Sequence, residues 1–157
     1  MELTPEAARK VLAGETSLSS LLGVSREELA RMAQFGYELW QQGRRNESMK
    51  MFQALLAADE SLYYGHAGMG LIAMREENLQ DARRYLSRAL ELEPRDPAVA
   101  VNLGEVLLRL GKLPEAVATM EKAIQADPTL KNAGAARAAA ILTGIGHGMT
   151  ELTKAAQ

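Results

Sequence analysis

The sequence predicts an all-α protein built from paired helices. The first observation is an internal period of 34 residues, which is typical of stacked helical hairpins. The second is composition: alanine, leucine and methionine are plentiful, aromatic residues make up only 4%, and β-branched residues are sparse. The third is that hydrophobic residues make up 47% of the 157 residues, which supplies enough apolar material for a packed core.

Charge and composition exclude several classes of function. The formal net charge is -2 and no block of lysine or arginine occurs, so we expect no nucleic-acid partner. The chain has no cysteine, which excludes disulfides and thiolate metal sites. No run approaches the roughly 18 apolar residues of a membrane helix, and the first residues lack the pattern of a signal peptide. We therefore expect a cytoplasmic protein with no membrane partner.

Three segments align without gaps, starting at Leu29, Tyr63 and Pro97. Small residues occupy their eighth and twentieth positions, and larger residues at the seventh, eleventh and twenty-fourth positions are expected to fill the gap between the two helices. The seventh positions are Phe35, Met69 and Leu103; the eighth Gly36, Gly70 and Gly104; the eleventh Leu39, Ala73 and Leu107; the twentieth Ser48, Ala82 and Ala116; the twenty-fourth Phe52, Leu86 and Met120; the twenty-seventh Leu55, Ala89 and Ala123. This is the tetratricopeptide repeat (TPR) pattern, in which small residues let two antiparallel helices approach and the hairpins stack into a solenoid.

Capping signals predict where these helices begin and end. Ser25 and Glu28 form an S-x-x-E capping box, and Asp96 followed by Pro97 supplies an N-cap and a first-turn proline. Gly43 and Gly111 are expected to end the first helices of repeats one and three. The predicted organisation is an N-terminal helical extension and linker at 1–24, a TPR domain at 25–143 and a tail at 144–157. The domain comprises repeats 29–62, 63–96 and 97–130 and a capping helix at about 129–143.

The first helix of repeat two, YYGHAGMGLIAM at 63–74, is apolar on every side. We interpret Met69, Gly70 and Ala73 as packing residues. Gly68 is expected to leave room for a ligand. The residues of this helix that face away from its packing partner, together with the equivalent positions of the other two repeats, predict one concave apolar groove that binds a peptide. Its residues are Tyr37, Trp40, Tyr64, Ala67, Gly68, Leu71, Met74, Val101, Asn102, Glu105 and Leu108.

A contiguous apolar surface marks an interaction site, and an extended segment with two or three apolar anchors fits this groove. The alternative is that the N-terminal segment or a second copy of the chain covers it. Carboxylate clamping is not expected, because the only inward bases are Arg75 and Arg109, near helix ends.

Catalytic and metal-binding signals are absent from the sequence. His66 occupies a packing position and His147 has no second ligand nearby. The run Gly144, Gly146, Gly148 follows a helix rather than a strand, so it does not predict a phosphate loop. We therefore expect no catalytic residues, no metal and no cofactor.

Two stretches resemble the class II chaperones of bacterial type III secretion: QFGYELWQQGRRNES at 34–48 and MFQALLAADESLYYGHAGMG at 51–70. The resemblance rests on Phe52-Gln53-Ala54-Leu55 and on Tyr63-Tyr64, Gly68 and Gly70. It implies a non-enzymatic chaperone that holds an extended segment of a secreted hydrophobic translocator in its groove before export. It also implies a homodimer formed through the N-terminal extension. A generic TPR scaffold that joins folded partners is the alternative.

Overall fold

A computed structural model describes residues 4–155 and contains only helices over that range. Two compact units divide the chain at Met1–Ile72 and Ala73–Gln157. None of the helices in 4–155 combines the length and apolar character that a bilayer-spanning segment needs. The helices are α1 (Pro5–Leu12), α2 (Leu18–Leu21), α3 (Arg26–Gln41), α4 (Arg45–Ala58), α5 (Tyr63–Arg75), α6 (Leu79–Leu92), α7 (Pro97–Arg109), α8 (Leu113–Ala126) and α9 (Ala133–Ala155).

Side-chain caps begin α1, α2 and α3. The hydroxyl oxygen of Thr4 accepts the Ala7 backbone N–H at 3.2 Å, and this bond starts α1 inside the predicted N-terminal extension. Ser25 and Glu28 form the predicted capping box at α3, with both reciprocal bonds present. The Ser25 backbone N–H and hydroxyl bind the Glu28 carboxylate and hold its pKa below its ordinary value. The extension and linker expected at 1–24 contain a second, short helix, α2, which Ser17 caps.

The hairpin of α3 and α4 confirms the predicted close approach at positions eight and twenty. The Ser48 hydroxyl donates to the Gly36 carbonyl oxygen at 2.8 Å, and both residues are buried. A Cβ at Gly36 would lie 2.9 Å from the Phe52 ring, a separation that real Cβ atoms essentially never show. A side chain at position 36 would therefore force the two helices apart.

The second unit repeats this packing between α7 and α8. A Cβ at Gly104 would meet Met120 Cγ at 2.5 Å, so glycine is needed where the helices cross. Asp96 caps α7 as predicted, accepting the Val99 backbone N–H at 2.9 Å. Helix α9 packs against both α7 and α8 and joins their apolar core through Ala138, which has no exposed surface.

The predicted core positions agree with the structure at every residue of positions twenty-four and twenty-seven. All six residues have 0% exposure: Phe52, Leu86, Met120, Leu55, Ala89 and Ala123. Position seven agrees in two repeats only. Phe35 was expected to fill the space between helices, yet it is 47% exposed. In repeat one, the Phe52 ring already fills the space beside Gly36.

One helix boundary differs from the sequence expectation, and one turn is made by a residue other than glycine. The α5–α6 turn places Glu77 at φ 64°, the conformation that glycines adopt at 76° and 74° in the equivalent turns of Gly43 and Gly111. Asn78 instead caps α6 by accepting the Asp81 backbone N–H. The final helix starts at Ala133 and runs through Ala155, so residues expected as a tail after 143 are helical as far as the structure describes them.

Candidate functional site

The apolar part of the predicted groove in the first unit lies on α3 and on the first ten residues of α5. Tyr37 and Trp40 are three residues apart on α3, and Tyr64 and Leu71 are seven apart on α5, so each pair shares one helix face. All four side chains retain solvent exposure, and Tyr64 is 37% exposed. These four residues are defined here as the aromatic surface.

Phe52 of α4 packs against both helices that carry the aromatic surface. Its ring contacts Tyr37 edge to face, with centroids 4.9 Å apart and planes at 62°. The same ring covers Gly68, where a Cβ would lie 2.3 Å from Phe52 Cδ1. The expectation that Gly68 leaves room for a ligand is therefore wrong: Phe52, a residue of the chain itself, occupies that space. Gly65 has a similar role, since a Cβ there would come within 2.7 Å of Leu56.

Two further contacts orient the aromatic surface. The Arg45 guanidinium lies 5.6 Å from the centroid of the Trp40 ring, within cation–π range. The Tyr63 and Tyr64 rings pack edge to face with centroids 5.2 Å apart. One side of Trp40 therefore faces a cation.

Four of the predicted groove residues are buried. Gly68 is one of them, and the exposures of the other three are 5% for Ala67, 4% for Met74 and 0% for Val101. Val101 belongs to an apolar cluster with Met120 and Ala138, so the chain's own core surrounds it. These residues cannot contact a ligand in this conformation, which corrects their assignment as lining residues.

The remaining predicted residues lie on α7, in the second unit. Leu108 is half-buried against the cluster that contains Val101. Asn102 and Glu105 are bound by Arg137 of α9: its Nε donates to the Glu105 carboxylate at 2.9 Å, and its Nη2 donates to the Asn102 side-chain oxygen. The sequence interpretation missed Arg137. The 34-residue register marks its position, because Arg137 follows Leu103 by one period. It therefore places a charge at a seventh position, where the three repeats have apolar residues.

Two other polar residues considered from the sequence, Arg109 and His66, have structural partners. Arg109 forms an ion pair with Glu77 and donates to the Met74 carbonyl oxygen at 3.4 Å. His66 donates from Nε2 to the Glu60 carbonyl oxygen at 2.8 Å, which joins α5 to the preceding turn. Within residues 4–155 no group of three His, Cys, Asp or Glu side chains is arranged to hold a metal ion.

Residues 67–131 match the family model of the tetratricopeptide repeat. Among characterised proteins, Superkiller protein 3 of Schizosaccharomyces pombe is 31% identical over 107 residues, which are 65% of this chain and 8% of that protein. The chain spans only 8% to 12% of the length of the curated relatives it matches. The predicted repeat fold is thus confirmed, and these relatives share the repeat rather than a whole architecture.

Several solved structures with this fold come from bacterial type III secretion. A type III secretion complex from Aeromonas hydrophila is 23% identical, with a TM-score of 0.75 over 92% of this chain and 98% of that one. PcrH, known from Pseudomonas aeruginosa and solved with the chaperone binding region of PopB, is 25% identical, with a TM-score of 0.64 over 75% of this chain and 97% of its own. SycD of Yersinia enterocolitica, with a peptide of the translocator YopD, is 22% identical, with a TM-score of 0.68 over 80% and 98% of the two chains. The chain therefore has the fold of translocator chaperones.

Proposed function

We propose that this chain, a tetratricopeptide repeat protein with the fold of type III secretion translocator chaperones, is itself a chaperone for a secreted hydrophobic translocator. It binds an extended apolar segment of that translocator and keeps it soluble in the cytoplasm before export. The observation that carries this proposal is the similarity to PcrH, which extends over 97% of the PcrH chain. That PcrH structure is a complex with the chaperone binding region of PopB. The proposed activity is binding alone, without catalysis or a cofactor.

The aromatic surface is the proposed contact for apolar client side chains. Tyr37, Trp40, Tyr64 and Leu71 retain exposure although each carries a large apolar group. Two tyrosines and a tryptophan bury much area with little loss of side-chain entropy, as is typical of binding surfaces. Each buried apolar anchor contributes about 1.5–3 kcal/mol. Ordering the client opposes this, so three anchors give binding in roughly the micromolar range.

The residues of α7 are proposed as a second contact, on the other unit. Leu108 offers an apolar group beside the polar pair of Asn102 and Glu105. The buried residues Ala67, Gly68, Met74 and Val101 are proposed to hold these helices in place rather than to touch the client. A homodimer formed through residues 1–24, as the resemblance implies, is also part of the proposal.

Co-expression with candidate translocators tests the function. We expect a translocator that is insoluble alone to become soluble with the chain. Tyr64→Glu and Leu71→Glu place a charge on the aromatic surface and are expected to abolish this rescue while the helical circular dichroism is retained. Gln53→Glu adds the same charge at an exposed position of α4 and serves as the matched control. Rescue that survives both aromatic-surface variants would refute the assigned site.

A generic TPR scaffold is the second candidate. The curated relatives favour it, because Superkiller protein 3, tetratricopeptide repeat protein 13 and a U-box protein carry the repeat outside the secretion chaperones. A scaffold would bind a folded partner and leave the solubility of translocators unchanged. It would also tolerate charge on the aromatic surface, so the same variants distinguish the two functions.

A further inference from the structure

Arg137 occupies two acceptor groups that a bound segment could otherwise use. Asn102 and Glu105 are three residues apart and lie on one face of α7. The Arg137 guanidinium binds both, donating from Nε to the carboxylate at 2.9 Å and from Nη2 to the amide oxygen. The pair is not sealed from solvent, since the Arg137 side chain is 43% exposed and that of Glu105 is 30% exposed.

The backbone on either side of Arg137 is fixed by close packing. A Cβ at Gly134 would lie 2.7 Å from backbone atoms of Pro97 and Ala98, so α9 touches the start of α7 directly. Ala138, the next residue after Arg137, is fully buried. Arg137 therefore starts from a constrained position, and little entropy is lost when it forms its two bonds.

The chemistry of the acceptors defines what Arg137 displaces. A carboxylate beside an amide oxygen is a site for a cation with several N–H donors, such as a lysine or arginine side chain. Arg137 supplies such a group from within the chain and also brings a like charge that repels a second cation. The α7 contact is thereby neutral where it would otherwise be acidic.

We propose that Arg137 is a specificity-determining residue, which excludes basic side chains of the bound segment from Asn102 and Glu105 and so favours apolar segments. The inference rests on the proposed function and deepens it. It assigns to α9 a role in selection in addition to its role as a cap of the last repeat.

Peptide binding tests this inference. A translocator segment that binds the chain is synthesised in series, with lysine, leucine or glutamate placed at each position in turn. Arg137→Met removes the charge and keeps the aliphatic stem. For at least one position, we expect the ratio of lysine-peptide affinity to leucine-peptide affinity to be about three- to fivefold higher in Arg137→Met than in the wild type. An effect of this size is typical of a partly exposed ion pair. The gain should disappear in Arg137→Met/Glu105→Gln and at high salt.

Two further variants keep the test independent of folding defects. Arg95→Met removes one positive charge at an exposed position of the same unit and should leave peptide preference unchanged. Glu105→Gln leaves Arg137 without its carboxylate, so glutamate peptides should gain affinity instead. Unchanged lysine-to-leucine ratios in Arg137→Met, together with unchanged glutamate binding in Glu105→Gln, would overturn the inference while the chaperone function stands.

If no translocator segment binds the wild type, the proposed function fails and the inference is tested with acetyl-arginine amide. The NMR signal of the Asn102 side-chain amide is then followed during titration. A saturable shift in Arg137→Met that is absent from the wild type supports displacement by a basic group. No shift in either protein would refute it.

Discussion

The ring of Phe52 stands where a side chain at position 68 would have to lie. A Cβ added to Gly68 would be 2.3 Å from Phe52 Cδ1 and 2.4 Å from Cε1. Phe52 has 0% exposure and also contacts Tyr37 and Gly36, so its ring has little freedom to withdraw. This contact makes glycine necessary at a position in the middle of α5, where glycine is otherwise unfavourable for a helix.

Gly68→Ala is therefore expected to destabilise the protein although alanine is the better helix former. The helix gains about 1 kcal/mol from alanine, whereas overpacking a filled core costs about 1–3 kcal/mol. We expect a net loss of up to about 2 kcal/mol in the free energy of unfolding, measured by urea titration. In a Phe52→Leu background the same substitution should cost less, because the ring is gone. Equal costs in both backgrounds would show that the two residues are not coupled.

The sequence predicts the paired core well because burial there follows from local helix geometry. A residue at position eight, twenty, twenty-four or twenty-seven faces its partner helix in each repeat, so a period of 34 is enough to identify it. Gly36, Ser48 and Phe52 are examples. Capping boxes are equally local, as Ser25 and Glu28 show.

The candidate site is predicted less well because its exposure depends on residues distant in sequence. Gly68 is covered by a ring from another helix, and Val101 is enclosed in a cluster that includes Ala138 of α9. Periodicity gives the face on which a residue lies and not the length of the side chain opposite. The partners of Arg137 also lie on another helix, so no local pattern pairs Arg137 with Glu105.

Glu77 is the only residue in the three helix-pair turns that takes a left-handed conformation without being glycine. Because that conformation costs a residue with a Cβ about 1–2 kcal/mol, Glu77→Gly should stabilise the protein. The variant loses the ion pair with Arg109, which is worth at most about 1 kcal/mol at an exposed site. We expect a net gain of about 0.5–1 kcal/mol in thermal or urea unfolding. Glu76→Gly, one residue earlier in the same turn, removes the same charge where φ is not positive and should give no gain.

Asp127 makes the turn before α9 sensitive to acid. Hydrogen bonds from the Thr129 hydroxyl, and then from the Asn132 backbone N–H, hold the pKa of the Asp127 carboxyl below its ordinary value. Since the folded-state pKa lies below the unfolded one, ionised Asp127 stabilises the fold at neutral pH. That stabilisation is lost as the pH falls through the folded-state value.

Asp127→Asn should accordingly be less stable than the wild type at pH 7. The difference in the free energy of unfolding between the two proteins should narrow below about pH 4, where the wild-type carboxyl becomes protonated and is then neutral like the asparagine. Urea titrations of both proteins across this range measure it. Glu121→Gln, at an exposed position of α8, controls for the loss of one negative charge. A difference that is constant with pH would mean that the carboxylate does not hold the turn through its charge.

Glycines of α9 divide into two kinds, and substituting them should have opposite effects. Apart from the backbone of α9 itself, no atom of the residues that the structure describes lies within 4 Å of a Cβ built at Gly144, Gly146 or Gly148. These glycines therefore weaken the helix without permitting a close contact to another element. Alanine at all three should strengthen the distal half of α9 by about 1 kcal/mol for each residue. Hydrogen exchange of the amides around these positions should slow correspondingly.

Gly134→Ala is the matched substitution at the packed end of the same helix, where a Cβ would meet the Pro97 and Ala98 backbone at 2.7 Å. It should lower the free energy of unfolding and speed exchange in the first turns of α9, because backbone cannot move aside as a flexible side chain can. Slower exchange after both substitutions would mean that helix propensity, and not contact with α7, governs this helix throughout.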